Sequence, residues 1–342
     1  MGVSKNATVA IYGKGGAGKS FLTSMTAKAL TQRGNRVLQM GCDPKHDSVV
    51  THFGGALIPT LLGTWAKFDA EGKGEELGPE HVIFKGDGVY CIELGGPESA
   101  RGCGGRGITF GFQTLEKWGL SEWNFEYMLL DFLGDVVCGG FGTPIARSMA
   151  DKLIIVCSNE GQSLYAANNI ASAVRYFAEQ GGKTRCLGLF VNKDDGSGKG
   201  DRLAEWLGVP VLAKLPLLPQ DEVMPNGVPH PAIGEAVAKV IDAIDTREAF
   251  VPNKVDFVEF MMSFTGNAAE MDGTSVSADE LWSLGENDPA PVAMAKEVLA
   301  GIPNGGAADH RYIESEDDSK GLLGPTIISV GGGAVPAGAW ER

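Results

Sequence analysis

An apolar run, Thr8-Val9-Ala10-Ile11-Tyr12, leads without a break into Gly13-Lys14-Gly15-Gly16-Ala17-Gly18-Lys19-Ser20. This is G-x-x-x-x-G-K-S between a strand and a helix that starts near Lys19, the context a phosphate-binding P-loop requires. Gly13 to Gly18 let successive backbone N–H groups turn inward around an anion. Lys19 is placed to reach the β- and γ-phosphates of ATP, and the Ser20 hydroxyl to ligate Mg²⁺. Such a loop belongs at the C-terminal edge of an open parallel sheet, so it constrains what the rest of the chain can build.

The remaining pattern agrees. Short aliphatic runs near Arg36–Met40, Val89–Glu93, Tyr127–Phe132, Lys152–Ser158, Cys186–Asn192 and Val209–Leu215 alternate with helix-length segments. That order predicts an α/β P-loop NTPase with a mostly parallel central sheet and helices on both faces. From Gln162 to Glu179, Leu164, Ala167, Ile170, Ala171, Val174 and Phe177 recur at helical spacing and predict one buried stripe. The expected division is a P-loop domain over residues 1–247 and a partly helical extension over 248–300, with a helix at Ala290–Ala300. The Gly/Pro-rich, acidic stretch over 301–342 reads as a flexible tail, because it buries too little apolar surface to offset ordering entropy.

With 43 acidic and 29 basic side chains the formal charge is −14. This repels phosphate backbones and anionic lipid, and no basic cluster offsets it, so neither nucleic acid nor membrane is expected as a partner. No stretch reaches the ~18–20 apolar residues of a membrane span, and the first residues lack the order of a signal peptide. A cytoplasmic location is the expectation.

Carboxylates follow two of the strands. The second runs into Gly41-Cys42-Asp43-Pro44-Lys45-His46-Asp47-Ser48, where Asp43 is the candidate for orienting the attacking water and Asp47 for a place near Mg²⁺. The plain alternative is that Asp47 or Ser48 caps a following helix. The fourth strand ends in Leu129-Leu130-Asp131-Phe132-Leu133-Gly134-Asp135. It resembles a Walker-B strand in which Asp131 holds the Mg²⁺ shell and Gly134-Asp135 senses the γ-phosphate.

Six cysteines, at positions 42, 91, 103, 138, 157 and 186, form no Cys-x-x-Cys pair. Cys91, Cys157 and Cys186 lie inside apolar runs and read as buried hydrophobes. Cys103 and Cys138 are instead flanked by glycine, in Gly102-Cys103-Gly104-Gly105-Arg106-Gly107 and Val137-Cys138-Gly139-Gly140. Bare backbone N–H groups that can point at sulfur suit a cluster ligand. Two ligands per chain complete a four-thiolate [4Fe–4S] site only across a two-fold homodimer.

Lys14 adds a second lysine to the loop. Lys-Gly-Gly-x-Gly-Lys resembles the deviant P-loop of a class of dimeric ATPases in which the extra lysine crosses to the facing subunit's nucleotide. Taken with Gly41–Ser48, Gly95–Gly107 and Asp131–Gly142, the chain resembles the nitrogenase iron-protein family over residues 7–245. Glu93–Glu98, Arg101–Ile108, Leu129–Asp135, Gly140–Gly142 and Asn192–Gly196 look most like its chlorophyllide a reductase branch of X subunits. Gln39–Ser48 with His46 looks like the L subunits of dark protochlorophyllide reductase. Val156–Ser158, Glu160 and Tyr165–Ile170 look like the nitrogenase protein itself.

The resemblance implies a homodimeric, ATP-dependent electron carrier with one [4Fe–4S] cluster, reduced by a ferredoxin-like donor. It would dock on a catalytic component of Y and Z subunits that reduces the C7=C8 bond of ring B in bacteriochlorophyll biosynthesis. Carried over by position, Lys14, Asp43 and Asp135 are catalytic, Lys45 meets the nucleotide, Asn192 lies near adenine and Arg106 lies on the docking surface. Leu215–Gln220 departs from the family's polar adenine loop, so no ligand carries over there. A non-redox partition ATPase shares Lys14, Lys19 and Asp131 but needs no cysteines. An Fe–S scaffold ATPase would carry Cys-x-x-Cys.

Overall fold

Strand β1 (Ala7–Tyr12) is buried on both sides, and its side chains sort the molecule into two cores. Val9 and Ile11 face α1 (Lys19–Gln32) and α7 (Pro231–Thr246), where Leu22, Met25, Leu30, Ile233, Val237 and Val240 close one layer. Ala10 and Tyr12 face the opposite layer, which holds Phe112 of α3 (Gly104–Lys117), the α4 stripe (Gly161–Glu179) and Leu203 of α5 (Lys199–Leu207). This computed structural model describes residues 7–96, 104–134, 142, 145–147 and 149–264, all inside a unit spanning Met1–Glu270. Cys103, Asp135, Cys138, the helix expected at Ala290–Ala300 and the tail over 301–342 lie outside them.

Eight strands form one sheet in the order β3-β4-β2-β5-β1-β6-β7-β8. The further strands are β2 (Val37–Gly41), β3 (Phe84–Gly86), β4 (Val89–Glu93), β5 (Tyr127–Asp131), β6 (Lys152–Cys157), β7 (Arg185–Asp194) and β8 (Val211–Pro216). All neighbours are parallel except β3, which pairs antiparallel with β4. The fold is the expected α/β P-loop NTPase, with strand ends within a few residues of expectation. The sequence reading missed β3. It is joined to β4 through Asp87 (φ 50°) and Gly88 (φ 84°), a two-residue Asp-Gly turn of the kind that suits hairpins. The α4 stripe came out as expected, with Leu164, Ala167, Ile170, Ala171 and Val174 fully buried.

The edge expected at residue 247 does not coincide with the edge of the packed unit. Backbone N–H and C=O of Phe250 exchange hydrogen bonds with Cys186, and the Asn168 amide bonds both backbone groups of Val255, at 2.8 and 2.9 Å. Helix α8 (Phe257–Phe264) then stacks Phe260 and Phe264 at 4.9 Å against Tyr165 of α4 and Trp206 of α5. The short amphipathic pattern hid this, because its two buried aromatics face a groove made by distant helices. Phe260→Ala is expected to cost about 3–5 kcal/mol, read as a lowered urea midpoint. An unchanged midpoint would show that α8 is not part of the core.

Candidate functional site

The P-loop leaves β1 and is braced from the far end of β7. Gly16 (φ 78°) and Gly18 (φ 97°) occupy left-handed backbone that other residues rarely adopt. Any side chain at Gly18 would run into the Asn192 amide. Asn192 Nδ2 donates to Ala17 O at 2.8 Å, and Lys193 Nζ donates to Gly16 O at 3.0 Å. Lys193 itself sits at φ 53°, an uncommon conformation for a non-glycine residue that its grip on the loop helps to hold. The structure thus gives Asn192 a bracing role and adds Lys193, for which the sequence offered no signal.

Lys19 is buried, and its ammonium donates to Lys14 O at 3.2 Å. Burial lowers its pKa, while Asp131, Asp43 and Asp47 oppose that shift and Lys45 adds to it. One cation therefore reports that four expected site residues converge around it. Lys14 turns away, its ammonium donating to Gln162 Oε1 on the first turn of α4. Asp43 Oδ1 accepts from the Lys45 N–H at 2.9 Å, closing a turn that continues through His46 at φ 49°. Lys45, Asp47 and Arg106 are exposed. Neither Asp47 nor Ser48 caps a helix; the next turn of 3-10 helix starts at Val50, with Val49 at its cap.

Register puts three positions in one row, because Gly41 of β2 pairs with Asp131 of β5 on one side and with Glu93 of β4 on the other. A side chain at Gly41 would overlap the Glu93 carboxylate, so the glycine makes room for an acid in the core. Asp131 is 1% exposed, and neither of its oxygens has a hydrogen-bond partner among the described residues. Burial raises its pKa to about 6, against the nearby Ser20 hydroxyl, Lys19 and Ser48 hydroxyl that lower it. Glu93 is fully buried and pushed up to about 8, again first by burial. Sequence reading missed Glu93 as a buried acid behind the site, although it ends an apolar strand as Asp131 does.

These residues fit a Mg–nucleotide. Two bare, buried carboxylate oxygens beside the Ser20 hydroxyl match a divalent cation's oxygen shell, and Lys19 with the loop N–H groups matches the phosphates. Gly134, at the exit of β5, backs directly onto the Gly13 carbonyl and the Lys14 amide. For the cluster, Cys42, Cys91, Cys157 and Cys186 are all buried. Burial raises each thiol, to about 12 for Cys91, Cys157 and Cys186, so they stay protonated and are poor ligands. Cys103 and Cys138 are the remaining cysteines. The residue after Cys103 opens α3, so the first turn of that helix is Gly104-Gly105-Arg106-Gly107.

Fold neighbours define the class first. The chain is similar to the septum site-determining protein MinD with Mg-ADP from Pyrococcus horikoshii (TM-score 0.52, 18% identity, 70% of this chain and 96% of that one). The cell division ATPase MinD of Pyrococcus furiosus is alike to a similar degree (TM-score 0.51, 19% identity, 70% and 98%). At that identity the likeness establishes a P-loop NTPase fold and nothing finer. Residues 7–240 match the family described as 4Fe-4S iron sulfur cluster binding proteins, NifH/frxC family, and the chain belongs to it. It is 53% identical over 212 residues to the chlorophyllide reductase 35.5 kDa chain of Cereibacter sphaeroides and 51% identical to that of Rhodobacter capsulatus. It is 40% identical over 216 residues to the light-independent protochlorophyllide reductase iron-sulfur ATP-binding protein of Halorhodospira halophila, covering 63% of this chain and 69% of that relative. The match spans 62% of this chain and 63% of the length of each chlorophyllide reductase relative.

The raised carboxyls set a pH dependence. Between about 4.5 and about 8 the folded chain keeps a proton on Glu93 that the unfolded chain has released, so stability falls as pH rises through that window. Glu93→Gln is expected to flatten this part of the curve, measured as urea midpoints across the window; an equally steep variant would place the proton elsewhere. If a Mg²⁺ bound at Asp131 requires the ionised carboxylate, Mg–nucleotide affinity is expected to weaken as pH falls through about 6. Asp131→Asn should remove that step in calorimetric titrations.

Proposed function

We propose that this chain is the ATP-dependent electron-donating component of a chlorophyllide a reductase, working as a cytoplasmic homodimer. The observation that carries the reading is the seat of Gly134 against the P-loop backbone, four residues before the glycine-flanked Cys138. A change at the γ-phosphate then bears on the same backbone that leads into the proposed ligand. Similarity to the two chlorophyllide reductase chains supports this branch of the family over the protochlorophyllide reductase one.

In this reading Lys19, Ser20 and Asp131 hold the phosphates and Mg²⁺, Asp43 orients the attacking water, and Asp135 senses the γ-phosphate. Asp47 and Lys45 complete the nucleotide rim. Lys14 leaves Gln162 to reach the partner subunit's nucleotide. Cys103 and Cys138 of both subunits hold the [4Fe–4S] group, which when bound supplies a one-electron couple filled by a ferredoxin-like donor. Arg106 lies on the face that docks on a catalytic component of Y and Z subunits, where the C7=C8 bond of ring B is reduced.

The test is anaerobic reconstitution with iron and sulfide, then addition of Y and Z subunits, chlorophyllide a, ATP and dithionite. Four irons per dimer with ATP-dependent loss of the ring B double bond is the expected result. Four irons without turnover would hand the chain to the protochlorophyllide branch, and no iron would move it to the partition ATPases. Cys103→Ala and Cys138→Ser should each abolish the cluster and leave nucleotide binding intact, whereas Cys186→Ser should change neither. Iron loss in Cys186→Ser would overturn the ligand assignment.

A further inference from the structure

The loop that carries Asp43 and Asp47 is fastened to the end of β4. The Val49 N–H donates to Glu93 Oε1 at 3.0 Å, and the Ser48 amide lies against the same carboxylate. At the loop's start the Leu94 N–H donates to Gly41 O at 2.9 Å. Past Leu94 the chain stays in contact: a Cβ on Gly96 would fall 2.6 Å from Pro44 Cβ, and one on Gly95 would fall 2.6 Å from Thr60 Cβ. Gly96 is therefore shaped by the loop it touches, and Gly95 by Thr60. Glu93 is fully buried and its Oε2 has no partner among the described residues. No role assigned above to the nucleotide, Mg²⁺ or docking residues uses it.

An acid in the core is costly unless it holds something. What Glu93 holds is the returning end of the Gly41–Ser48 segment, and the strand it ends runs on in sequence to Cys103. We propose that Glu93 is a positioning residue that latches the Asp43–Ser48 loop onto β4, so that nucleotide state reaches the Cys103 side through β4 as well as the Cys138 side through Gly134. The inference rests on the nucleotide and cluster assignments proposed above. It adds a second mechanical link, made by one carboxylate and the Pro44–Gly96 contact, to the one through β5.

The experiment uses the full chain reconstituted with iron and sulfide. The rate at which a ferrous chelator removes iron is measured without nucleotide, with MgADP and with MgATP, beside the MgATP dissociation constant. Glu93→Ala should shrink the MgATP-dependent change in rate by roughly fivefold, the effect of one lost hydrogen bond, with the dissociation constant within about twofold of the parent. Glu93→Gln keeps the Oε1 acceptor for Val49 and should retain the response. Gly96→Ala, which drives Pro44 away without touching the acid, should weaken the response as Glu93→Ala does and decides the matter if Glu93→Ala does not fold. A full response in both disrupting variants overturns the inference, and so does loss of response in Glu93→Gln. No response in the parent protein would instead bring down the ATP-gated cluster reading itself.

Discussion

A carboxylate buried to 1% exposure with neither oxygen hydrogen-bonded is an energetic debt the fold cannot discharge by itself. Asp131 is held there by the register of β5 between β1 and β2, the three central strands of the open edge. Its pKa of about 6 expresses the same strain: without a cation the group keeps a proton to well above the ordinary carboxylate range. A Mg²⁺ held at Asp131 would remove that penalty and so couple metal and nucleotide binding to the electrostatics of the strand ends. Lys19 is the mirror case, a buried ammonium whose pKa falls for want of water while the facing carboxylates pull it back. Each group is a poor resident alone and a good one once phosphate and cation lie between them.

The bracing around the loop follows from this. Backbone N–H groups turned toward an anion leave their own carbonyls turned outward, and those of Gly16 and Ala17 find Lys193 and Asn192. The partners come from the end of β7, two strands from β1 in the sheet order. The cradle is thus preorganised by side chains that need no contact with the ligand. Preorganisation of that kind lowers the ordering cost of binding. It also explains why Gly18 cannot carry a side chain: the space is taken by Asn192.

How much of this was legible follows the range of the interactions. The P-loop, the α4 stripe and the strand ending in Asp131 are local patterns, and each came out where the sequence placed it. Glu93 was quoted as part of a motif and its chemistry overlooked, because its burial depends on Gly41 one strand away, which no spacing rule connects to it. Lys193 and Gln162 act on the P-loop from 177 and 148 residues away, and neither residue type in its setting signals that reach. The packing of the chain just after 247 was hidden for the same reason, since Phe250, Val255 and Phe260 find their partners on β7 and α4. The β3 hairpin is different: its Asp87-Gly88 turn is a local signal, but the strand before it is only three residues long, too short to show an alternating pattern.

The fold is also that of a septum site-determining protein, and a fold does not by itself dictate an output. What can differ between such proteins lies in the chain that leaves the C-terminal ends of the strands. Among the described residues, the exit of β5 abuts the P-loop backbone through Gly134, and the exit of β4 abuts Pro44 through Gly96. Each runs on to one of the two glycine-flanked cysteines, Cys138 and Cys103. Glycine suits both needs, since it allows close approach of backbone at Gly134 and Gly96 and, beside a cysteine, would leave an N–H free to meet sulfur. On the proposed assignment, such a chain would feel hydrolysis at both ligands of each subunit, and a two-fold assembly would then move all four thiolates, and a cluster held among them, as a unit.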